Sequence, residues 1–272
     1  MKHLELAGRW ILVTGASSGL GREMARVLAA RHHANLVLVA RRQERLKELA
    51  GELSAQYGVR TRIIAADLCS ISEVDRVFRE ITAPESGAPL ELQGAILNAG
   101  ITHFGNWDEQ TWEDFERMRD LNITGVVRLC TQVLPHLEAR GDGGGVMIVS
   151  SMLGLIPAAY QATYSATKAF LVNYGAALHH EMAPRGVSVT TFYPAGIVTE
   201  MTGGESFNEL RGWMMPADRV ARQAVDAFRE RAYMKAPGAL YNAAAAAMRL
   251  LPQRFFHSRL AAQSRSSLRG SE

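Results

Sequence analysis

Short apolar runs alternate with segments of helical periodicity along most of this chain, and this alternation constrains its fold more than any other feature. Runs such as 10–14 and 146–149 are apolar at successive positions, as expected of strands buried on both faces. Strands that alternate with helices form right-handed βαβ units and a parallel sheet. The predicted strands are residues 10–14, 36–39, 61–66, 94–97, 146–149, 187–193 and 233–237.

The sequence therefore predicts an α/β fold: a doubly wound, Rossmann-type parallel sheet of about seven strands, in a three-layer αβα arrangement. The predicted helices cover residues 20–31, 43–57, 72–81, 111–137, 163–182 and 216–231, and the fourth is expected to break near Leu121. No repeat or linker interrupts residues 1–238, which we predict to form a single domain. Residues 239–272 predict a helical C-terminal extension, with a helix at 243–251 and a flexible end.

Composition limits the possible classes of function. Of the 272 residues, 47% are apolar and 21% are charged, which is typical of a globular chain. The net charge of +3 does not call for a nucleic-acid partner. Cys69 and Cys130 lie far apart in apolar or helical patterns, which is typical of reduced thiols and not of a disulfide or metal site. The sequence has no signal-peptide core and no membrane-spanning run, so it predicts a soluble cytoplasmic protein.

A glycine-rich turn, Thr14-Gly15-Ala-Ser-Ser-Gly19-Leu-Gly21, connects the first predicted strand to the first predicted helix. Glycines permit a tight turn and let backbone N–H groups approach a pyrophosphate at the helix N-terminus. The spacing differs from the G-x-G-x-x-G pattern of many dehydrogenases, and glycines also serve helix–strand packing. The position directly after a buried strand nevertheless favours a nucleotide-binding turn.

Tyr164 and Lys168 are one turn apart on the same predicted helix, so their side chains can meet. An ammonium beside a phenol favours the phenolate and lowers the phenol's pKa from about 10. The hydroxyl of Ser151 could hold a substrate oxygen between itself and the phenol. The three residues therefore suit proton transfer to or from a carbonyl or alcohol oxygen. Considered without the rest of the chain, the pair is more typical of a half-buried tyrosine and a solvated lysine.

Together these motifs resemble the short-chain dehydrogenase/reductase family in its compact, single-domain form. The resemblance covers residues 8–235, and its motifs are Thr14-Gly-x-x-x-Gly19-x-Gly21, Asn98-Ala-Gly100, Asn122, Ser151 and Tyr164-x-x-x-Lys168. The interval between Ser151 and Tyr164 also fits the family and selects Ser151 over its neighbour Ser150.

The resemblance implies reversible hydride transfer between a nicotinamide cofactor and a small-molecule ketone or secondary alcohol. It implies that Tyr164 is the general acid/base, that Lys168 lowers the pKa of Tyr164 and holds the nicotinamide ribose, and that Ser151 orients the carbonyl oxygen. Asn122 would support a water that links Lys168 to bulk solvent. The implied cofactor contacts, besides Tyr164 and Lys168, are Gly15, Ser17, Ser18, Gly19, Leu20, Gly21, Asp67, Leu68, Asn98, Ala99, Gly100, Pro194, Ile197 and Thr199.

The chain departs from the family pattern at two positions. Leu97 stands where a second asparagine is common, which we expect to change strand packing and not chemistry. After the sixth strand the usual Pro-Gly is Pro194-Ala195, with Gly196 one place on. We therefore expect a slightly different path for this loop, with contacts retained at Pro194 and Thr199.

The end of the second predicted strand indicates which nicotinamide cofactor is used. A carboxylate there would bind the adenosine ribose and disfavour a 2′-phosphate. This chain instead has Ala40, Arg41 and Arg42, and guanidinium groups bind phosphate well. We expect NADP(H) rather than NAD(H), with a further contribution from Arg22. The alternative is that both arginines merely begin a charged surface helix.

The substrate pocket is expected between residues 102–107, 152–160 and 195–215. Its apolar side chains favour an apolar, lipid-like substrate, although such residues also pack ordinary loops. They are Leu153, Leu155, Ile156, Met201, Phe207, Trp213, Met214 and Met215.

The arginine-rich extension is expected to pack over the pocket or a neighbouring subunit, and peripheral membrane contact is the alternative. By resemblance, the long helices with Asn122 and Tyr164 would pair between subunits in a homodimer or homotetramer. A nucleotide-binding regulatory protein of the same fold without turnover is the competing functional interpretation.

Overall fold

The computed structural model describes residues 2–203 and 214–250, with side chains described as far as residue 248. The main strands are β1 (Trp10–Thr14), β2 (Asn35–Ala40), β3 (Thr61–Ala65), β4 (Leu92–Leu97), β5 (Gly145–Val149) and β6 (Ser188–Phe192). Three two-residue strands follow: β7 (Ile197–Val198), β8 (Met215–Pro216) and β9 (Met234–Lys235). Seven strands form one sheet in the order β3-β2-β1-β4-β5-β6-β9, and every pairing in it is parallel.

Helices cover both faces of this sheet. They are α1 (Gly19–His32), α2 (Gln43–Tyr57), α3 (Ile71–Thr82), α4 (Trp112–Arg119), α5 (Gly125–Arg140), α6 (Ala162–Met182), α7 (Ala217–Arg229) and α8 (Ala239–Leu250). One core lies between the sheet and α1, α2 and α7, and the other lies between the sheet and α3, α5 and α6. The predicted three-layer, doubly wound α/β fold with about seven strands is confirmed.

The alternation of side chains along the strands explains why the apolar runs are continuous. Ile11 and Val13 of β1 enter the first core, whereas Leu12 between them enters the second. All three side chains are fully buried. Because successive residues of a strand point to opposite faces, a sheet covered on both sides needs apolar residues at every position.

The long helical region after β4 differs from the sequence prediction. Instead of breaking near Leu121, the chain passes from α4 into α5 through a π-helical turn, Asp120–Thr124. Such turns insert one extra residue and frequently occur at functional sites. Asn122 lies in this turn and is fully buried. The helix therefore continues, but its register changes where the sequence predicts a functional residue.

The sheet order places a crevice between the carboxyl ends of β1 and β4. From β1 the chain first winds outward through β2 and β3, and then returns to β4 on the other side of β1. The buried hydroxyl of Thr14 ties the two strand ends together, since it accepts hydrogen bonds from the backbone N–H groups of Asn98 (2.9 Å) and Ala99 (3.1 Å). In doubly wound sheets, ligands bind at this reversal of strand order.

The predicted extension is described only in part. Its helix α8 agrees with the helix predicted at 243–251, and the residues after 250, including the expected flexible end, lie outside the described residues. The same applies to two pocket candidates, Phe207 and Trp213. Within 2–203 and 214–250, no helix is both long and apolar enough to cross a membrane.

Candidate active site

A cleft of about 860 Å³ opens at the carboxyl edge of the sheet. It runs from the ends of β2 and β3, across the glycine turn, to the N-terminal part of α6. Most of the predicted site residues line it. They are Gly15, Ser17, Ser18, Gly19, Leu20, Arg41, Arg42, Asp67, Leu68, Asn98, Ala99, Gly100, Ser151, Tyr164, Lys168, Pro194, Ile197 and Thr199.

Two predicted residues, Gly21 and Asn122, lie behind the wall of the cleft and do not line it. A Cβ atom on Gly21 would lie 2.4 Å from the carbonyl oxygen of Gly15 and 2.6 Å from Nδ2 of Asn98. Gly21 is therefore needed for the close approach of α1 to the ends of β1 and β4. Its role is packing of the turn, which differs from the predicted cofactor contact.

The N-terminus of α1 is suited to an anion. Gly15, with φ of +70°, lets the chain turn sharply before the helix. Ser18 precedes α1 without a side-chain capping hydrogen bond, and the first turn contains no acidic residue. The N–H groups of the first turn have no partner within the helix and carry the positive end of its dipole. This geometry fits the pyrophosphate of a dinucleotide.

Lys168 lies deep at the inner end of the cleft. Its side chain is 4% exposed, and Nζ donates a hydrogen bond to the carbonyl oxygen of Val149 at 3.1 Å. The same Nζ lies 5.7 Å from the centre of the Tyr164 ring, so the predicted meeting of the two side chains is observed. Burial lowers the pKa of Lys168 to about 8, because the charged form loses hydration.

Tyr164 has the opposite shift from the one that its spacing to Lys168 predicts. Burial raises the pKa of the phenol above its ordinary value, and a side-chain hydrogen bond with Ser151 acts against this effect. The ammonium of Lys168 faces the ring and bonds to Val149, and the effect of burial on the pKa of Tyr164 outweighs the lowering that the spacing predicts. The phenol is therefore protonated at neutral pH.

The structure separates the two adjacent serines. The Oγ of Ser150 donates to the carbonyl oxygen of Lys168 at 2.7 Å, which ties β5 to α6. The Oγ of Ser151 accepts from the N–H of Leu153 at 3.2 Å and interacts with the phenol of Tyr164. Ser151 thus contacts Tyr164 in the cleft, whereas Ser150 faces the backbone of α6.

Asn122 links three parts of the site from behind. Its Oδ1 accepts from the N–H of Ile101 (2.9 Å), and its Nδ2 donates to the carbonyl oxygen of Ile101 (2.9 Å) and to Oγ1 of Thr167 (3.1 Å). A Cβ atom on Gly100 would lie 3.1 Å from Oδ1 of Asn122 and 3.4 Å from Nζ of Lys168. The π-turn therefore holds the segment after β4 against α6 beside the lysine.

Charged groups meet at the outer end of the cleft. Arg42 donates to Oγ of Ser18 at 2.6 Å and lies 3.3 Å from Oγ of Ser17. It also forms an ion pair with Glu200 at 2.8 Å, and Arg45 pairs with the same carboxylate. These two hydrogen-bonded ion pairs lower the pKa of Glu200 below its ordinary value. The arginine at the end of β2 therefore reaches the glycine turn, where a phosphate would lie.

Of the other two arginines expected near the cofactor, Arg41 lies in the cleft and Arg22 lies outside it. Arg41 lines the cleft, is exposed, and makes no hydrogen bond or ion pair with the described residues. Arg22 instead lies 3.8 Å from Glu52 of α2, outside the cleft lining. Arg41 therefore remains available to a ligand. The position of Arg22 does not support its expected contribution to cofactor binding.

The side of the cleft beyond Tyr164 is mainly apolar. Leu153 and Met214 line it as predicted, whereas Trp107 is 84% exposed and lies away from it. Helix α8 adds Tyr241 and Met248, which the sequence did not single out. The described part of the extension thus packs over the pocket, as expected of the favoured alternative.

Sequence reasoning missed several residues that shape the site. Thr14 belongs to the quoted motif, but its bridging hydroxyl was not predicted, and Thr167 is three residues from Tyr164 on α6. Glu200 follows Thr199 directly, yet nothing in the sequence indicates that it contacts Arg42. Only the fold brings Glu200 into contact with Arg42 and Arg45, which are 158 and 155 positions away along the chain.

The chain is similar to known oxidoreductases. The short chain dehydrogenase family model matches residues 9–209. A very-long-chain 3-oxoacyl-CoA reductase from Anas platyrhynchos is 32% identical over 72% of this chain, and an inactive hydroxysteroid dehydrogenase-like protein 1 from Pongo abelii is 31% identical over 78%. The chain spans 62% and 63% of the lengths of these two relatives.

A solved structure of a short-chain dehydrogenase from Sphingobium yanoikuyae in complex with NADPH is also similar. It is 31% identical, with a TM-score of 0.77, over 90% of this chain and 97% of that chain. Together with the family match, this likeness indicates a nicotinamide cofactor in the cleft described above. The chain belongs to the short-chain dehydrogenase family of oxidoreductases.

Proposed function

We propose that this protein is an NADP(H)-dependent reductase of ketones, or dehydrogenase of the corresponding secondary alcohols, with an apolar or lipid-like substrate. The single observation that carries the proposal is the convergence of Ser151, Tyr164 and Lys168 at the inner end of a cleft whose outer end holds Arg41 and Arg42. The first group suits proton transfer to a carbonyl oxygen, and the second suits a 2′-phosphate.

The proposed preference for NADP(H) is supported by the end of β2. No carboxylate follows Ala40, and Arg41 has no hydrogen-bonding or ion-pair partner among the described residues. A guanidinium without a partner binds phosphate without first breaking an internal contact. The similar structure from Sphingobium yanoikuyae contains NADPH, which is consistent with the same choice.

The chain's own residues divide the proposed chemistry among them. When bound, the nicotinamide would supply or accept a hydride at the substrate carbon. Ser151 holds the substrate oxygen, and Tyr164 donates a proton to it. The pKa of the phenol lies above its ordinary value of about 10, so Tyr164 carries a proton at neutral pH that it can donate in ketone reduction. The buried ammonium of Lys168 stabilises negative charge near the phenol as the proton leaves.

The substrate class is proposed from the apolar wall of the cleft. Met152, Leu153 and Met214 line it together with Tyr241 and Met248 of α8. Such a wall binds an alkyl chain or a fused-ring skeleton through burial of apolar surface. The name of the first relative gives a very-long-chain 3-oxoacyl-CoA as the substrate of that protein, and the second is named inactive but hydroxysteroid dehydrogenase-like. Fatty-acyl and steroid skeletons both suit this wall.

A second candidate function is a nucleotide-binding regulatory role without turnover. It is favoured by one observation, the similarity to an inactive hydroxysteroid dehydrogenase-like protein. Against it stand the hydrogen bonds that position Asn122 and the proximity of Tyr164 to Ser151 and Lys168. A protein that only binds a nucleotide does not need a proton donor beside a substrate cavity.

The experiment follows the absorbance of reduced nicotinamide with purified protein and a panel of ketones. The panel contains medium- and long-chain 3-oxoacyl thioesters, steroid ketones and a polar ketose. We expect oxidation of NADPH with the first two classes and little with the ketose. NADPH binding without oxidation by any ketone would support the regulatory alternative.

We further propose that the chain assembles through its long helices α5 and α6. Phe170, which is 42% exposed, stacks on Tyr174 at 5.7 Å on the outer surface of α6. Tyr174 is itself half-buried against the second core, so Phe170 is the exposed member of the pair, and an exposed aromatic side chain on a long helix is suited to contact with a second copy. Light scattering should give the mass of a dimer or tetramer, and a monomeric mass would contradict this part of the proposal.

A further inference from the structure

Glu200 connects two sides of the cleft that lie far apart in sequence. It begins a short 3₁₀ turn, Glu200–Thr202, in the segment that follows β6. Its carboxylate pairs with Arg42 at 2.8 Å and also with Arg45, which lies in the first turn of α2. The segment after β6 therefore reaches across the outer end of the cleft and is held there by two ion pairs.

Arg42 is shared between this ion pair and the glycine turn. One of its terminal nitrogens donates to Glu200, and the other donates to Ser18 at 2.6 Å. The guanidinium proposed to bind a 2′-phosphate is thus already bound to a carboxylate. A phosphate that approaches Arg42 must either displace Glu200 or accept a like charge beside it.

We propose that Glu200 is a specificity-determining residue, which competes with the 2′-phosphate of the cofactor for Arg42 and thereby weakens binding of NADP(H) relative to NAD(H). This inference rests on the proposed use of Arg42 as a phosphate ligand. It adds a carboxylate, from a different part of the chain, that acts against the preference set by the arginines.

The charges and solvent exposure of Glu200 and Arg42 allow a 2′-phosphate to replace Glu200 on Arg42. A phosphate monoester carries a charge of about −1.5 to −2 at neutral pH, so it outcompetes one carboxylate for a guanidinium. The side chains of Glu200 and Arg42 are 54% and 43% exposed, so water can replace each partner while it moves. Arg45 retains Glu200 after Arg42 turns to the phosphate, so the segment stays across the cleft. A cofactor without the 2′-phosphate leaves both ion pairs intact.

Isothermal titration calorimetry with 2′,5′-ADP and 5′-AMP, which differ only in the 2′-phosphate, tests this inference without turnover. We expect Glu200→Gln to increase the affinity for 2′,5′-ADP by roughly threefold, as for loss of an exposed ion-pair competitor. The affinity for 5′-AMP should stay unchanged. Glu44→Gln is the matched control, because Glu44 pairs with Lys47 at 2.9 Å and does not line the cleft. It removes one negative charge from the first turn of α2, beside Arg45, so it should change neither affinity.

Four results would contradict the inference. Unchanged or weaker binding of 2′,5′-ADP by the Glu200 variant would overturn the competition, and so would an equal gain in the Glu44 control. Equal weakening of both nucleotides would mean that Glu200 only anchors the segment. If wild type and variant bind 5′-AMP but neither binds 2′,5′-ADP, the proposed preference for NADP(H) fails as well. Loss of the gain in 1 M salt, where charges are screened within about 3 Å, would support the competition.

Discussion

Lys168 at the inner end of the cleft and Arg42 at its outer end are both cations, but their surroundings differ. Lys168 is 4% exposed and bonds to one backbone carbonyl, whereas Arg42 is 43% exposed and divides its N–H groups among two serines and Glu200. Burial lowers the pKa of Lys168 to about 8. The inner cation is therefore tuned by loss of water, and the outer one by partners that can be exchanged.

This difference indicates a division of labour along one cleft. Groups held in a dry, fixed geometry change the chemistry of the reacting oxygen. Groups in contact with water set which nucleotide binds and respond to salt. Changes at the inner end should thus affect turnover by orders of magnitude, and changes at the outer end should affect affinity by smaller factors.

The largest effect is expected for Tyr164→Phe. Loss of a positioned general acid lowers a rate by about 10²–10⁴-fold, so kcat should fall by roughly 10³-fold. The Kd for NADPH should change little, because the ring remains in place. The absorbance of reduced nicotinamide at saturating substrate gives kcat, and fluorescence titration gives Kd. Tyr174→Phe on the same helix, outside the cleft lining, is the control and should retain full turnover.

A large loss of turnover without a loss of stability is expected for Lys168→Met. Turnover should fall, yet the free energy of unfolding at pH 7 should not, because the variant no longer buries a charge. A drop in both quantities would show that the Lys168–Val149 hydrogen bond outweighs the cost of burial.

The pH dependence gives a second test of the same lysine. The unfolded chain binds this proton up to a pKa of 10.5, but the folded chain only up to about 8. Between these values the unfolded state holds more protons, so the stability of the wild type should rise with pH relative to Lys168→Met, by up to about 3 kcal/mol. Denaturant titrations at pH 7, 8, 9 and 10 measure this difference. Parallel curves for the two proteins would mean that Lys168 has an ordinary pKa.

A smaller effect is expected at the outer end for Arg41→Asp. The variant should raise the KM for NADPH about tenfold, in line with the loss of one charge-assisted hydrogen bond, and should leave that for NADH nearly unchanged. Arg22→Asp is a useful comparison, since Arg22 faces Glu52 and should not alter the ratio of the two constants. Equal responses to both cofactors would remove Arg41 from the phosphate site.

The smallest effect is expected from salt alone. Raising ionic strength from 0.05 to 0.5 M should weaken NADPH binding a few-fold, because the exposed arginines are screened over about a Debye length. The kcat of the saturated enzyme should change much less, since Lys168 is buried and Tyr164 lies at the inner end of the cleft, away from the exposed arginines. A large fall in kcat at saturating NADPH would contradict the division between the two ends.

The sequence by itself determined the fold and most of the residues that line the cleft. Apolar periodicity decides which segments become strands and helices, because it fixes which faces can be buried. Positions such as Gly15 and Asn98 follow from this fold, since the carboxyl ends of parallel strands meet at one edge. The interval between Ser151 and Tyr164 likewise selected the serine that interacts with the phenol.

Only the tertiary structure decided the pKa values of the site residues and the contacts between distant segments. The predicted lowering of the pKa of Tyr164 by Lys168 is outweighed by the effect of burial, because the cost of burying a charge depends on the whole surrounding fold. The π-turn at Asn122 and the ion pair of Glu200 with Arg42 also have no local signal. The apolar periodicity of the sequence indicates which side of a helix or strand is buried. An ion pair between distant segments depends instead on loop paths and side-chain directions, which only the folded chain defines.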